Sequence, residues 1–81
     1  LDVRTREEHA GGHIPGSTLL PLDQLPSKAG TALPDRNAKI VVYCASGGRS
    51  AQAARYLAQL GYTDVSDLGG IMGWPFQIVG G

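Results

Sequence analysis

The chain has 81 residues, a length that suits one domain near the lower size limit for a stable core. Seven basic and seven acidic residues give a net charge of zero, which argues against a nucleic acid or a membrane surface as partner. One cysteine excludes an internal disulfide and a metal site of several thiolates, and no apolar run approaches the ~20 residues of a membrane span.

The first half of the chain predicts short elements that are separated by glycines and prolines. Thr5 and Glu8 form a capping box that starts a helix, and the helix is brief because two glycines follow. A helix at 22–29 is expected to be poorly formed, since Pro26 removes a backbone donor. The other predicted elements of this half are the end of a strand at 1–3, a turn at 13–16, a short strand at 18–20 and a loop at 30–38.

The second half carries clearer signals. An apolar, β-branched run at 40–43 predicts a buried strand, and an alanine-rich amphipathic pattern at 50–60 predicts a helix that lies close to a sheet. A further strand is expected at 64–68 and a short segment at 71–74, while the packing of the apolar tail at 76–81 stays open. Strands that alternate with helices imply an α/β fold with a parallel sheet and helices on both faces.

Cys44 stands where the predicted strand stops and the loop before the helix begins. That position places it at the carboxyl edge of the sheet, where open α/β folds bind ligands. A thiol is a useful nucleophile only as a thiolate, and free cysteine has a pKa near ~8.5. Lowering this pKa by ~2 units takes about 2.7 kcal/mol, which one or two charge-assisted hydrogen bonds of roughly 1.5–3 kcal/mol each would supply.

The loop after the cysteine can supply those hydrogen bonds. Gly47 and Gly48 allow it to curl because they tolerate positive φ, so that successive N–H groups form a nest beside the positive end of the helix. Arg49 can add positive charge or brace loop carbonyls, and Ser46 and Ser50 supply hydroxyls for the rim or the helix cap. We therefore interpret the cysteine as a nucleophile in a cradle of backbone N–H groups, which suits a sulfur anion or an oxyanion attached to it.

Three segments of the chain resemble the rhodanese family. The loop CASGGRS at 44–50 is similar to the family's active-site pattern C-x-S-G-x-R-S. LDVRTREEH at 1–9 with GHIPG at 12–16 is similar to "DVR…E(F/Y)…GHIPGA", and LGGIMGW at 68–74 is similar to the closing "L-x-GG-x-x-x-W". His9 stands where an aromatic residue is usual. The strand and helix that normally precede the first segment are missing, so the small open sheet is expected to be incomplete at one edge.

The resemblance implies one rhodanese-like domain over 1–81 that works as a thiosulfate:cyanide-type sulfurtransferase, with no cofactor and no metal. Cys44 would attack the outer sulfur of a donor such as thiosulfate and hold it as a persulfide. The sulfur would then pass to a thiol or cyanide acceptor, or to a thioredoxin-like protein. Six residues from Cys44 to Arg49 match the sulfurtransferases, whereas phosphatases and arsenate reductases of this fold use a loop one residue longer.

The resemblance also implies a role for each site residue. The nucleophile is Cys44, the substrate-binding set is Ala45, Ser46, Gly47, Gly48, Arg49, Ser50 and Arg4, and the supporting residue is Asp2. Arg4 is expected to contact a substrate anion while Asp2 braces the pocket edge. A surface ion pair that ties the first turn is an equally weighted alternative for these two residues.

Four other residues are assigned structural roles. His9 and His13 are four apart, but the two glycines break the helix between them, so structural roles are favoured over a metal pair. His13 is expected to hydrogen-bond backbone within its turn. Trp74 is expected to pack against the core or the rim. Met72 is expected to pack, with a place at the pocket mouth as the alternative.

Two alternatives to a sulfurtransferase stay open at this stage. A regulatory or sulfur-relay docking module of a larger protein would share the fold, although the intact Cys44 argues against a silent one. A phosphatase or arsenate reductase is disfavoured by the loop length. The expected location is the cytoplasm, among reduced thiols, and a periplasmic protein would show the same sequence features.

Overall fold

The computed structural model describes residues 1–80, with three helices, two paired strands and two 3₁₀ turns. In chain order the helices and strands are α1 (Arg6–Ala10), α2 (Leu25–Ala32), β1 (Ile40–Cys44), α3 (Gly48–Gln59) and β2 (Val65–Gly70). The 3₁₀ turns are Leu22–Gln24 and Ile71–Gly73. None of the described helices combines the length and the apolar character that a membrane crossing requires.

Strand β1 lies in the middle of a parallel sheet. It pairs with β2 from Ile40 opposite Val65 to Cys44 opposite Gly70. On its other side Tyr43 forms a parallel bridge with Asp2, and Asp2 forms another with Leu19. Four extended segments therefore lie side by side, which confirms the predicted parallel sheet, although the segments predicted at 1–3 and 18–20 are single bridges rather than strands.

The two longer helices pack on one face of the sheet. Alternate β1 residues point to that face, because successive side chains of a strand point to opposite sides. The buried cluster on this face contains, from the three elements, Ile40, Val42, Cys44, Leu25, Ala29, Ala53 and Leu57. Burial of each larger aliphatic side chain contributes about 1.5–3 kcal/mol, so this cluster holds the carboxyl end of β1 against the start of α3.

Helix α1 reaches the opposite face of the sheet. Tyr43 and Asp2 point there, and His9 of α1 bonds the Asp2 carboxylate. Connections between parallel strands are right-handed. The chain crosses the sheet in one direction through α1 and in the opposite direction through α2 and α3, so α1 lies on the other face from these two helices. Helices on both faces are therefore observed, as predicted from the alternation of strands and helices.

The ends of two helices differ from prediction. Helix α2 is regular over Leu25–Ala32, because Pro26 lies in its first turn, where no intrahelical N–H bond is lost. Helix α3 begins at Gly48 rather than at residue 50, because Gly47 caps it with a left-handed backbone at φ 106°. The first turn of α3 therefore belongs to the loop that surrounds the cysteine.

The segment after β2 returns to the turn at 13–16. Val79 and His13 form an antiparallel bridge, which places the apolar tail that the sequence left open, and residue 81 lies outside the described residues. Trp74 is partly buried and packs edge-on against Phe76. Met72 is 87% exposed, so the expectation that it packs is wrong, because the 3₁₀ turn points its side chain away from the protein.

Candidate functional site

The site is built around Cys44, the last residue of β1, at the carboxyl edge of the sheet. Its side chain points to the face that α3 covers, and the residue is completely buried, with 0% of its surface exposed. The three residues that follow turn sharply into α3. This places the sulfur at the amino end of a helix, as the strand–loop–helix pattern predicted.

One backbone N–H and one hydroxyl lie within hydrogen-bond distance of the sulfur. The N–H of Gly47 donates to Cys44 Sγ at 2.9 Å, and Ser50 Oγ lies 3.6 Å from the same atom. Burial by itself raises the pKa of the Cys44 thiol, but the Ser50 hydroxyl and the N–H groups of Ser50, Gly47 and Ser46 favour the thiolate and lower the pKa overall. Of the predicted cradle of N–H groups, the structure shows one hydrogen bond to the sulfur, from Gly47.

Two contacts hold the shape of the loop: a hydrogen bond within it and the close approach of β2. Ser50 is buried, and its hydroxyl donates to the carbonyl of Gly47 at 3.0 Å while Cys44 is a thiol; when the thiolate forms, this one proton can turn to Sγ, 3.6 Å away. At the end of β2, Gly70 lies against the loop so closely that a Cβ there would be 2.6 Å from the Ala45 carbonyl oxygen. Only glycine fits at that position, and this approach closes the loop from the side of β2.

Arg49 points towards α1 and pairs with Glu8. Its Nη1 and Nη2 donate to the two Glu8 carboxylate oxygens at 2.7 and 2.9 Å. This pairing lowers the pKa of Glu8 to about 2, so the pair stays ionised at neutral pH. The sequence predicted Glu8 only as part of the capping box, which the structure also shows. The ion pair was missed because it joins residues 41 apart in the chain.

Asp2 and Arg4 form a buried ion pair rather than the surface pair considered from the sequence. Arg4 Nε and Nη2 donate to the two Asp2 oxygens at 3.0 and 2.9 Å, and Nη2 also donates to the carbonyl of Gly12. Burial raises the pKa of Asp2, but the hydrogen bonds from Arg4 and His9 outweigh it and lower the pKa. Tyr43 completes the network through its hydroxyl, 3.2 Å from Asp2.

The two histidines stack on each other. Their ring centroids are 3.7 Å apart with an interplanar angle of 13°. His9 Nδ1 faces the Asp2 carboxylate, and His13 Nδ1 faces the carbonyl of His9, so both Nδ1 atoms must carry the hydrogen. Rings that lie parallel do not direct their in-plane lone pairs to one point. Over residues 1–80, no group of three or more metal-binding side chains is found together.

The predicted site residues thus form two neighbouring groups. Those at 44–50 share the loop around the sulfur, with Ala45 against Gly70 and Gly48 opening α3. Asp2 and Arg4 lie in the buried network beside it. Substrate contact remains a prediction for every member of both groups.

Comparison with known sequences adds to this geometry. Residues 1–75 match the family described as "Rhodanese-like domain". The chain is 38% identical over 71 residues to the thiosulfate sulfurtransferase PspE of Escherichia coli (strain K12), which covers 88% of this chain and 68% of that protein. It is 44% identical over 75 residues to a sulfurtransferase of Allochromatium vinosum, with 91% and 68% covered. The family match includes the Cys44 loop.

The solved structures to which this chain is similar include rhodaneses as well. A rhodanese with anions from E. coli superposes with a TM-score of 0.91 at 36% identity, over 99% of this chain and 94% of that one. A rhodanese-related protein from Thermoplasma volcanium superposes with a TM-score of 0.84 at 38% identity, over 98% of this chain and 80% of that one.

Proposed function

The chain belongs to the rhodanese-like family and is a sulfurtransferase, and from that premise we propose that it takes a sulfane sulfur from thiosulfate or a related donor and passes it to a thiophilic acceptor. The carrier in this proposal is a persulfide on Cys44. The observation that carries it is the Gly47 N–H at 2.9 Å from Sγ, together with the lowered pKa of the thiol. The E. coli relative is named a thiosulfate sulfurtransferase, and this name supports thiosulfate as the donor.

The first half-reaction uses the thiolate as nucleophile. Cys44 Sγ attacks the outer sulfur of thiosulfate, the S–S bond of thiosulfate breaks, and its electron pair leaves on sulfite. A new S–S bond then joins Cys44 to the transferred sulfur, which carries the negative charge. The N–H groups of the loop stabilise that charge as they stabilise the thiolate before it.

The second half-reaction restores the enzyme. Cyanide or a thiolate attacks the outer persulfide sulfur, and the electron pair of the breaking S–S bond returns to Cys44 as thiolate. The products are thiocyanate or the persulfide of the acceptor. No oxidant or reductant is needed, because one S–S bond is exchanged for another bond to the same sulfur.

The complete burial of Cys44 adds a condition to this mechanism. A donor therefore needs a movement of the loop to reach Sγ, and the loop contains Gly47, whose φ of 106° favours glycine. A small donor needs a smaller opening than a protein does. The pairing of Arg49 with Glu8 holds one side of the loop.

Intact-protein mass spectrometry tests the proposal. Thiosulfate should add the mass of one sulfur to the wild-type protein and nothing to Cys44→Ser, and cyanide should remove the sulfur and release thiocyanate. Sulfur added equally to both proteins would contradict a persulfide on Cys44. A folded wild-type protein that takes up no sulfur would favour the docking-module alternative, and hydrolysis of an aryl phosphate would favour a phosphatase.

A further inference from the structure

The sheet face that carries α1 is only partly covered. Val41 lies two residues before Tyr43 in β1, so it points to the same face, and it is exposed. A hollow of about 320 Å³ lies on this face, between the turn at 13–16 and the segment after β2. Among the described residues, no charged side chain lines the hollow. Its apolar walls include Ile14, Pro15, Val41, Leu68 and Trp74.

An exposed aromatic ring stands next to the hollow. Phe76 lies edge-on to Trp74, with the ring centroids 5.1 Å apart. Trp74 also lines the hollow, so the projecting ring and the recess share a wall. Ile78 is exposed as well and lies opposite Ile14 of the hollow, because the bridge at His13 is antiparallel. This face therefore carries a projection and a recess of the same apolar character.

The distribution of charge favours a second copy of this chain as the partner of this face. Residues 68–81 contain no acidic, basic or histidine residue, whereas all seven basic and seven acidic residues lie at 1–67. A charged partner, such as a nucleic acid or an anionic membrane, finds no complementary charge on this segment. The net charge of the chain is zero, so two copies do not repel each other at long range. Their uncharged segments can also meet without the desolvation of an ion.

The amount of exposed apolar surface also suits a second copy. Val41, Leu68, Phe76 and Ile78 are 38%, 41%, 70% and 49% exposed. Together they present on the order of 400 Å², at about 200 Å² for one large side chain. A standard interface buries about 800 Å² per partner, of which about 57% is apolar. These four side chains can therefore supply the apolar core of a standard dimer interface.

We propose that two copies of the chain associate through this face, with Phe76 of each copy in the hollow of the other. The projection and the recess lie side by side, so one two-fold axis can place both contacts at once and close the assembly as a dimer. Cys44 points to the other face of the sheet, towards α3, so neither catalytic loop lies in the interface. The inference does not depend on the proposed function.

Sedimentation equilibrium over a range of protein concentrations tests the dimer. The wild-type mass should rise from 8.5 kDa towards twice that value as the concentration increases. Phe76→Ala should raise the dissociation constant of the dimer about tenfold or more, because it removes the ring that fills the hollow. Leu68→Lys should have a similar effect, because it places a charge in the recess. Both positions are exposed, so neither substitution disturbs the core.

Matched controls come from α3, on the other face of the sheet. Tyr56→Ala also removes an exposed aromatic ring, and Gln59→Lys also adds a lysine at an exposed position. Each control should change the dissociation constant less than about twofold. Circular dichroism and urea unfolding establish that every variant is folded.

Isotope-filtered NMR identifies the contact itself. In a mixture of labelled and unlabelled copies, the ring protons of Phe76 should give intermolecular NOEs to the methyl groups of Val41 and Leu68. A wild-type mass that stays at 8.5 kDa at every concentration overturns the proposal and leaves this face to a different chain. A dimer that Phe76→Ala weakens no more than the controls do, or that shows no NOE from the ring to the hollow, overturns it as well.

Discussion

At the scale of single residues, the reactivity of Cys44 is a balance between burial and hydrogen bonding. A buried thiol is normally inert, because a low-dielectric environment disfavours the thiolate. Here the N–H groups of the loop and the hydroxyl of Ser50 outweigh the burial, and the pKa is lowered. The N–H donors belong to the main chain, whereas the hydroxyl belongs to the Ser50 side chain. A substitution at Ser50 can therefore remove the hydroxyl and keep the N–H groups.

Substitution of Ser50 by alanine should raise the pKa of Cys44 towards its ordinary value. Alanine keeps the buried position filled but removes the hydroxyl, which favours the thiolate. Sulfur transfer at neutral pH should fall by about three- to tenfold, since less thiolate is present, and should recover at higher pH. The pH dependence of Cys44 alkylation and of the transfer rate measures this shift.

Ser46→Ala is the control for that substitution, because Ser46 is exposed and contributes through its backbone N–H. It should leave both pH profiles in place. Identical profiles for Ser50→Ala and the wild-type protein would refute a role of the hydroxyl in stabilising the thiolate.

At the scale of elements, α1 depends on its partners. A helix of five residues is not stable alone, because so few hydrogen bonds do not offset the cost of nucleation. The capping box fixes its first turn, Glu8 binds Arg49 of α3, and His9 binds Asp2. The helix therefore links the Cys44 loop to the buried polar network, although no residue of α1 touches the sulfur in the described hydrogen bonds.

Substitution of Glu8 by glutamine should weaken this link. The pair is partly exposed, with 33% and 37% of the two side chains accessible, so stability at neutral pH should fall by about 1 kcal/mol or less. The pKa of Glu8 is lowered from 4.5 to about 2 on folding, so its contribution is present above pH 4.5 and is lost as the pH falls to about 2. The variant should therefore lose less stability than the wild-type protein over that interval, as measured by urea unfolding.

Glu7→Gln provides the comparison, since Glu7 is an exposed residue on the same turn. Its stability should follow the wild-type curve over the whole interval. Parallel curves for Glu8→Gln and wild type would mean that the ion pair with Arg49 contributes nothing to folding.

At the scale of the whole molecule, the Asp2 carboxylate joins parts of the fold that the chain keeps far apart. It accepts from Arg4, from His9 of α1 and from the hydroxyl of Tyr43 in β1. Tyr43 in turn bonds Ser17 and Ile14 of the turn on the same face. In a chain of this size, with a small apolar core, one fully satisfied polar network fixes the first segment, a helix, a turn and the central strand together.

Substitution of Asp2 by asparagine should destabilise the whole domain. It removes the negative charge opposite a buried guanidinium, and breaking such a pair costs about 3–5 kcal/mol. Because the pKa of Asp2 is lowered on folding, the carboxylate stabilises the protein above its unfolded-state pKa, and this contribution is lost as the pH falls. Urea unfolding at neutral and acidic pH should therefore show the larger loss at neutral pH.

The exposed Asp64 supplies a matched change of aspartate to asparagine. Asp64→Asn should leave stability within about 0.5 kcal/mol of wild type. A similarly small change for Asp2→Asn would show that the buried network does not hold the fold together.

Local chemistry in the sequence determined the strand at β1, the capping box of α1, the parallel sheet and the loop that faces the sulfur with N–H groups. The strand, the capping box and the loop follow from residues close together in the chain, and the parallel sheet follows from the alternation of strands and helices along it. Only the tertiary structure decided that Arg49 pairs with Glu8, that Asp2 and Arg4 are buried and that Gly70 closes the loop. These contacts join residues far apart in the chain, and no local pattern specifies which distant partners the packing of the sheet brings together.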